Sequence, residues 1–233
     1  IEGGGDASSE DRPVVDWYKS YVNSPKYKDR LAAFYQYPEY LQRERSNKLS
    51  GLKITNNPGT ASRYWESDNE LRISPLQIES LNATRPEVVA HELGHVTSGN
   101  SKNKAATLNP TEERFILERN KKVSKQTLDR FLNMSKERGQ SLSDLMNNEL
   151  HDVNPGENLS DVQSLRFLLK QRKIYDAGKQ DVTPEIIRKA ANDPIIRRSF
   201  IWKRLKENFG DKELTEIMNK VASAKLSKKQ NMA

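Results

Sequence analysis

The chain has 233 residues, of which 34% are hydrophobic and 30% charged, with a formal net charge of +7 and no cysteine. This length suits one domain with a hydrophobic core, and the missing cysteines exclude disulfides, cysteine zinc fingers, iron–sulfur clusters and a thiol nucleophile. No apolar run approaches the roughly 18 residues of a membrane-spanning helix, so we expect no membrane partner.

The first part of the chain predicts short helices and a small sheet. Residues 1–13 lack large apolar clusters, which is typical of a flexible lead. In residues 14–49, apolar and aromatic side chains recur at helical spacing in short pieces that are interrupted at Pro25 and Pro38, so we predict two or three short helices. Residues 51–78 contain short alternating or β-branched runs separated by turn residues, which predicts an antiparallel sheet of about three strands.

From residue 84 onward the pattern is helical. Thr84 and Glu87 form a capping-box signature for the first of these helices. A polar residue before proline, or an acidic first turn, indicates further helix starts near Asn109, Asn154, Thr183, Asp193 and Asp211. The pattern predicts an α+β fold, with a main domain over residues 14–180 and a basic helical extension packed on it over 181–233.

The positive charge is concentrated near the end of the chain. Residues 162–233 carry 17 Lys or Arg and 8 Asp or Glu, against 22 and 24 in residues 1–161. Such a basic surface could bind nucleic acid or an acidic partner. Alternatively, the charges form the solvated faces of amphipathic helices. The apolar positions that would mark their buried face are Ile195, Ile196, Phe200 and Leu205.

The clearest chemical signal is the segment His91-Glu92-Leu93-Gly94-His95, which matches the pattern HExxH. Residues four apart lie on one face of a helix, so both imidazoles can bind one zinc ion. Glu92 can project toward a metal-bound water without being a ligand, and so act as general base. The predicted chemistry is metal-assisted hydrolysis of peptide bonds in a peptide or protein substrate.

A catalytic zinc usually has three protein ligands and one open position. Our candidate for the third ligand is Glu157, and Asp161, one helical turn later, can accept the ring N–H of a ligating histidine. Alternatively, Glu157 pairs with Asn154 in a capping box. The other candidate ligands are Glu112, Glu113 and His151.

The group that would stabilise the tetrahedral intermediate is less defined. We favour His151, which directly precedes the predicted Glu157 helix, as the hydrogen-bond donor. Tyr175 is the competing candidate. A third interpretation is that His151 only ends a helix and has no catalytic task.

At these residues the sequence resembles the gluzincins, zinc peptidases of the thermolysin type, whose HExxH is followed by a helix with the pattern NExxSD. The second motif reads GENLSD over residues 156–161, with Gly156 in place of the asparagine. The resemblance implies a zincin-like fold with the sheet on the HExxH helix, and residues 70–74 as the edge strand that pairs with the substrate. The implied site has the Zn²⁺ ligands His91, His95 and Glu157, the base Glu92 and the orienting carboxylate Asp161.

More distantly, the chain is similar to small zincin-like proteins encoded among the structural genes of tailed phages of gut bacteria. The similarity lies in the early Gly-Gly-Gly and in residues 17–31, 151–158 and 165–178. It implies virion proteins as partners and a structural or cargo role with little peptidase activity. No signal-peptide pattern is present, and the protein could be exported or virion-associated.

Overall fold

The computed structural model describes residues 9–65, 67–98, 106–108, 110–146, 150–222 and 225–227. Within these residues the fold is α+β and mostly helical, as predicted. The helices are α1 (Arg12–Val22), α2 (Pro25–Ala32), α3 (Pro38–Ser50), α4 (Pro75–Ser80), α5 (Arg85–Ser98), α6 (Pro110–Leu117), α7 (Lys125–Arg138), α8 (Leu142–Met146), α9 (Pro155–Gln171), α10 (Pro184–Asn192), α11 (Pro194–Arg198), α12 (Phe200–Asn208) and α13 (Asp211–Lys220). The strands are β1 (Lys53–Asn56), β2 (Arg63–Trp65), β3 (Glu70–Ile73), β4 (Ala106–Leu108) and β5 (Lys225–Ser227).

Polar side chains cap the helices that carry the candidate site. In the predicted capping box of α5, the Thr84 N–H donates to the Glu87 carboxylate at 3.1 Å, and the Glu87 N–H donates to the Thr84 hydroxyl at 3.4 Å. At the start of α9, the Gly156 N–H donates to the Asn154 side-chain oxygen at 2.8 Å. These bonds satisfy amides that a helix leaves free in its first turn.

The first sheet has three strands, as predicted, but it is mixed, so the expectation of a wholly antiparallel sheet is wrong. Its order is β1-β3-β2, with β3 parallel to β1 and antiparallel to β2. Leu71 and Ile73 of β3 are both fully buried, whereas β2 has no buried residue. The strand with two buried apolar side chains is thus the central one, and residues 70–74 are not an edge strand. After β3, the Ser74 hydroxyl accepts the Gln77 N–H at 3.2 Å, so the following apolar residues form α4.

Helix α5 lies along α9 at the centre of the core. Gly94 makes this close approach possible, because a Cβ atom at position 94 would lie 2.6 Å from the Ser160 Cα. One side of α5 is apolar and buried. The buried residues on that side are Val88, Val89, Leu93 and Val96. The packing of α5 on α9 therefore fixes the distance between the two sequence motifs.

The segment 181–222 packs on the rest of the chain through buried polar contacts as well as apolar ones. The Arg166 guanidinium of α9 is fully buried and donates to the Met218 and Val221 carbonyls, both at 2.6 Å. Ile196 and Leu205 are buried as expected, but Ile195 is 53% exposed, so the predicted apolar face is wrong at that position.

Residues 1–8 of the predicted flexible lead lie outside the described residues. In the remainder, the Asp11 carboxylate is buried and accepts hydrogen bonds from Arg85 at 2.8 and 2.9 Å, and α1 begins at Arg12. None of the helices in the described ranges combines the length and apolar character needed to cross a membrane.

Candidate metal centre

The two histidines of the HExxH motif face the same point beside α9. Their Nε2 atoms are 3.1 Å apart, and both side chains are buried. His91 and His95 are four residues apart on α5, so the turn of the helix alone places one ring above the other. Two nitrogen atoms at this distance need either a shared proton or a metal ion between them, because two facing lone pairs would repel each other.

Glu157 of α9 completes a triangle of donor groups, which consists of the two Nε2 atoms and the Glu157 carboxylate. Its Oε2 lies 3.4 Å from the His91 Nε2, and its Oε1 lies 3.6 Å from the His95 Nε2. Zinc bonds of about 2.0–2.2 Å in a tetrahedral site separate the ligand atoms by about 3.4 Å. The distance between the two nitrogens is 3.1 Å, and the distances from them to the nearer carboxylate oxygens, Oε2 for His91 and Oε1 for His95, are 3.4 and 3.6 Å, all close to this value. The residues therefore fit a zinc ion in both chemistry and spacing.

Electrostatics keep Glu157 in its anionic form. Burial by itself would raise the pKa of this carboxyl, but the charges and hydrogen bonds of His95 and His91 outweigh burial and hold the pKa well below its usual value. A zinc ligand must be deprotonated. The alternative capping-box role receives no support from the cap of α9, because Asn154 accepts the Gly156 N–H.

Glu92 is close to the two histidines. The potential ligand atoms of His91, Glu92 and His95 all lie within 4.8 Å of one another, and the Glu92 side chain is buried. These three residues by themselves form a group that could hold a metal ion. With Glu157 as the third ligand, the Glu92 carboxylate is close enough to serve a water molecule at the fourth position.

Asp161 orients His91 from behind. Its Oδ1 lies 3.0 Å from the His91 Nδ1, and its side chain is fully buried. Burial would lower the pKa of His91, but Asp161 and Glu157 outweigh it and raise the pKa to about 10. In the metal-free protein this favours the charged ring, so a metal ion at Nε2 would have to displace the proton on that atom. The proton that stays on Nδ1 faces Asp161, and this is the tautomer that metal binding needs.

Arg204 of α12 is a member of this site that the sequence analysis did not find. Its Nε donates to the Asp161 Oδ2 at 2.5 Å, and its Nη2 donates to the Oδ1. Burial would raise the pKa of Asp161, yet the charge of Arg204 and the hydrogen bond with His91 lower it. The residue lies in a basic stretch where its sequence neighbours are also cationic, so nothing local marks it.

The hydroxyl of Ser160 is the other contact missed from sequence. Its Oγ lies 3.0 Å from the Nδ1 of His95, and the side chain is fully buried. Ser160 directly precedes Asp161, so two consecutive residues of α9 each contact one histidine ring.

Of the two candidate transition-state donors, the structure brings only His151 to the site. The His151 Nε2 lies 3.8 Å from the Glu157 Oε1, and the side chain is 57% exposed, which places it at the rim. Tyr175 lies beyond the other end of α9, and the helix rises about 21 Å between Glu157 and Gln171. The buried Tyr175 hydroxyl instead accepts a hydrogen bond from Arg30 at 3.0 Å. The expectation for Tyr175 is therefore wrong.

The rival ligands Glu112 and Glu113 have other partners. Glu112 accepts hydrogen bonds from the Tyr35 hydroxyl at 2.5 Å and the Ala222 N–H at 3.1 Å. Glu113 accepts the N–H groups of Leu142 and Ser143, both at 3.0 Å, and so caps α8. Both carboxyl groups are fully buried in these structural roles, and neither joins the histidines.

Comparison of the chain with protein-family models, with curated proteins and with solved structures gives no match. The resemblance to gluzincins therefore depends on the two sequence motifs.

Proposed function

We propose that this protein is a zinc-dependent peptidase. The observation that carries the proposal is the convergence of the His91 Nε2, the His95 Nε2 and the Glu157 carboxylate at separations suited to one tetrahedral ion. Three protein donors leave a fourth position open, as in catalytic rather than structural zinc sites. A purely structural site would have no use for Glu92 beside it.

A zinc ion held by these three residues would lower the pKa of a water molecule and polarise the carbonyl group of the substrate. Glu92 accepts a proton from the attacking water and donates it to the amide nitrogen as the C–N bond breaks, so the products are a carboxylic acid and an amine. His151, exposed at the rim, donates a hydrogen bond to the carbonyl oxygen as negative charge develops on it. Asp161 and Arg204 hold the His91 ring in place throughout.

The substrate strand would pair with β2. Because β3 is central, β1 and β2 are the outer strands of this sheet within the described part of the chain, and β2 contacts α5, which carries the two histidines. An extended peptide that adds to an exposed sheet edge gains main-chain hydrogen bonds along its length. Residues 63–65 thus replace residues 70–74 as the proposed substrate edge.

The test uses the full chain, stripped of metal with a chelator and then loaded with one equivalent of zinc. We expect zinc-dependent cleavage of unfolded casein and of a mixed peptide library, detected by the appearance of new amino termini. A chain that binds no zinc would contradict the proposal. Zinc binding without any cleavage would favour the structural or cargo role, and salt-dependent DNA affinity in place of cleavage would favour the nucleic-acid role.

A further inference from the structure

We infer that Ser160 is the positioning residue for His95, a role that rests on the proposed zinc site. Ligating histidines usually donate their second ring N–H to a fixed acceptor, which sets the tautomer and the orientation of the ring. His91 has Asp161 for this purpose. The corresponding contact of His95 is the Ser160 hydroxyl, with 3.0 Å between Oγ and Nδ1.

Gly156 has no side chain, so it contributes nothing toward either imidazole. Its N–H is already used by the Asn154 side chain at 2.8 Å and the Ser143 hydroxyl at 3.1 Å. One turn further along α9, the Ser160 hydroxyl contacts the His95 ring at 3.0 Å.

Gly94 allows the hydroxyl to reach the ring. A Cβ atom at position 94 would meet the Ser160 Cα at 2.6 Å and its Cβ and Oγ at 3.0 Å. Contacts this short would force α5 and α9 apart or turn the serine away. The glycine inside the HExxH motif and the serine of the second motif thus form a matched pair across the interface.

The protonation states follow from the geometry. The His95 Nε2 faces the His91 Nε2 and the Glu157 carboxylate, so metal binding requires its lone pair at that atom. The proton of the neutral ring is then on Nδ1, and the Ser160 oxygen accepts it. Without the hydroxyl, the ring loses its buried acceptor. Loss of a residue that hydrogen-bonds to a metal-ligating histidine lowers the metal affinity by about 10–100-fold.

The chain offers a matched control one turn away. Ser164 is also fully buried on α9, and its hydroxyl donates to the Glu87 carbonyl of α5 at 3.0 Å. Removing either hydroxyl deletes one hydrogen bond from the same helix–helix interface. Of the two serines, only Ser160 contacts an imidazole ring. A difference in zinc affinity between the two variants therefore reports the positioning of His95 and not the packing of α5 on α9.

The experiment compares the full-length wild type, Ser160→Ala and Ser164→Ala. Zinc affinity is measured by competition with a chromophoric chelator, and the His95 tautomer by long-range ¹H–¹⁵N NMR of the zinc-loaded protein. We expect Ser160→Ala to bind zinc about 10–100-fold more weakly and Ser164→Ala to match the wild type. The wild-type spectrum should show His95 protonated on Nδ1.

Two results would overturn the inference while leaving the zinc site intact. One is equal zinc affinity in the wild type and Ser160→Ala, or an equal loss in both serine variants. The other is a wild-type His95 that binds through Nδ1, a measurement that does not depend on how well any variant folds. A wild type that binds no zinc overturns the proposed function itself, and the inference with it.

Discussion

The Nδ1 of His91 lies 3.0 Å from the Oδ1 of Asp161, and this carboxylate is fully buried. Arg204 from α12 binds both oxygens of the same carboxylate. The contact thus extends from α5 through α9 to a helix of the basic segment near the end of the chain. The orientation of His91 therefore depends on Asp161 and, through it, on Arg204, which lies more than a hundred positions away in sequence.

Glu92→Gln should keep zinc affinity and lose turnover, because glutamine cannot accept a proton from water. We expect the rate of casein cleavage to fall by about 10²–10⁴-fold, the range typical of a lost general base. Zinc competition and cleavage are measured on the same samples. Glu79→Gln, an exposed substitution outside the site, is the control. Cleavage at the wild-type rate by Glu92→Gln would rule out the assigned role.

Glu157→Ala should remove a zinc ligand. We expect the zinc affinity to fall by more than the roughly 10–100-fold that is typical when a residue that only hydrogen-bonds to a ligand is removed. The affinity is measured by chelator competition. Glu113→Gln tests a rival ligand and should bind zinc like the wild type, because Glu113 caps α8 and does not contact the histidines. Retention of zinc by Glu157→Ala together with its loss in Glu113→Gln would reverse the assignment.

Arg204→Met should destabilise the fold, because it leaves the buried Asp161 carboxylate without its main counter-charge. Removal of one partner from a buried pair costs about 3 kcal/mol or more. The free energy of unfolding is measured by urea titration of the metal-free protein. Arg197→Met is the control, since Arg197 is exposed. Equal stabilities for the two variants would show that the contact of Arg204 with Asp161 contributes little.

The candidate site was predictable where it depends on local periodicity. His91 and His95, and likewise Glu157 and Asp161, are each four residues apart, so any helix places the members of a pair on one face. The starts of the helices could be predicted for the same reason, because a capping residue and the amides that it caps are neighbours in sequence.

The missed features depend on packing between distant elements. Arg204 and Ser160 gain their roles only from the way α12 and α5 lie against α9. The central position of β3 likewise depends on which strand buries most apolar surface. Tyr175 follows α9, the helix that carries Glu157, but it lies beyond the opposite end of that helix. The length of the predicted helix alone implies a separation of about 20 Å between Tyr175 and Glu157.

The buried Glu113 predicts a pH-dependent stability. Burial raises the pKa of its carboxyl to about 7, against the lowering effect of hydrogen bonds from Ser143 and Leu142, whereas the ordinary value is 4.5. The folded state therefore binds this proton more tightly than the unfolded state. Its contribution to stability is fully present below pH 4.5 and is lost as the pH rises to about 7.

The measurement compares urea unfolding of the wild type and Glu113→Gln at pH 5 and pH 8. Glutamine cannot ionise, so the stability of the wild type relative to the variant should fall as the pH rises. The fall should be about 1.4 kcal/mol for each pH unit of the interval that lies between the pKa of the unfolded chain and that of the folded protein. Glu79→Gln provides the reference for general pH effects. If the difference between the wild type and Glu113→Gln is the same at both pH values, the Glu113 carboxyl does not titrate in this interval.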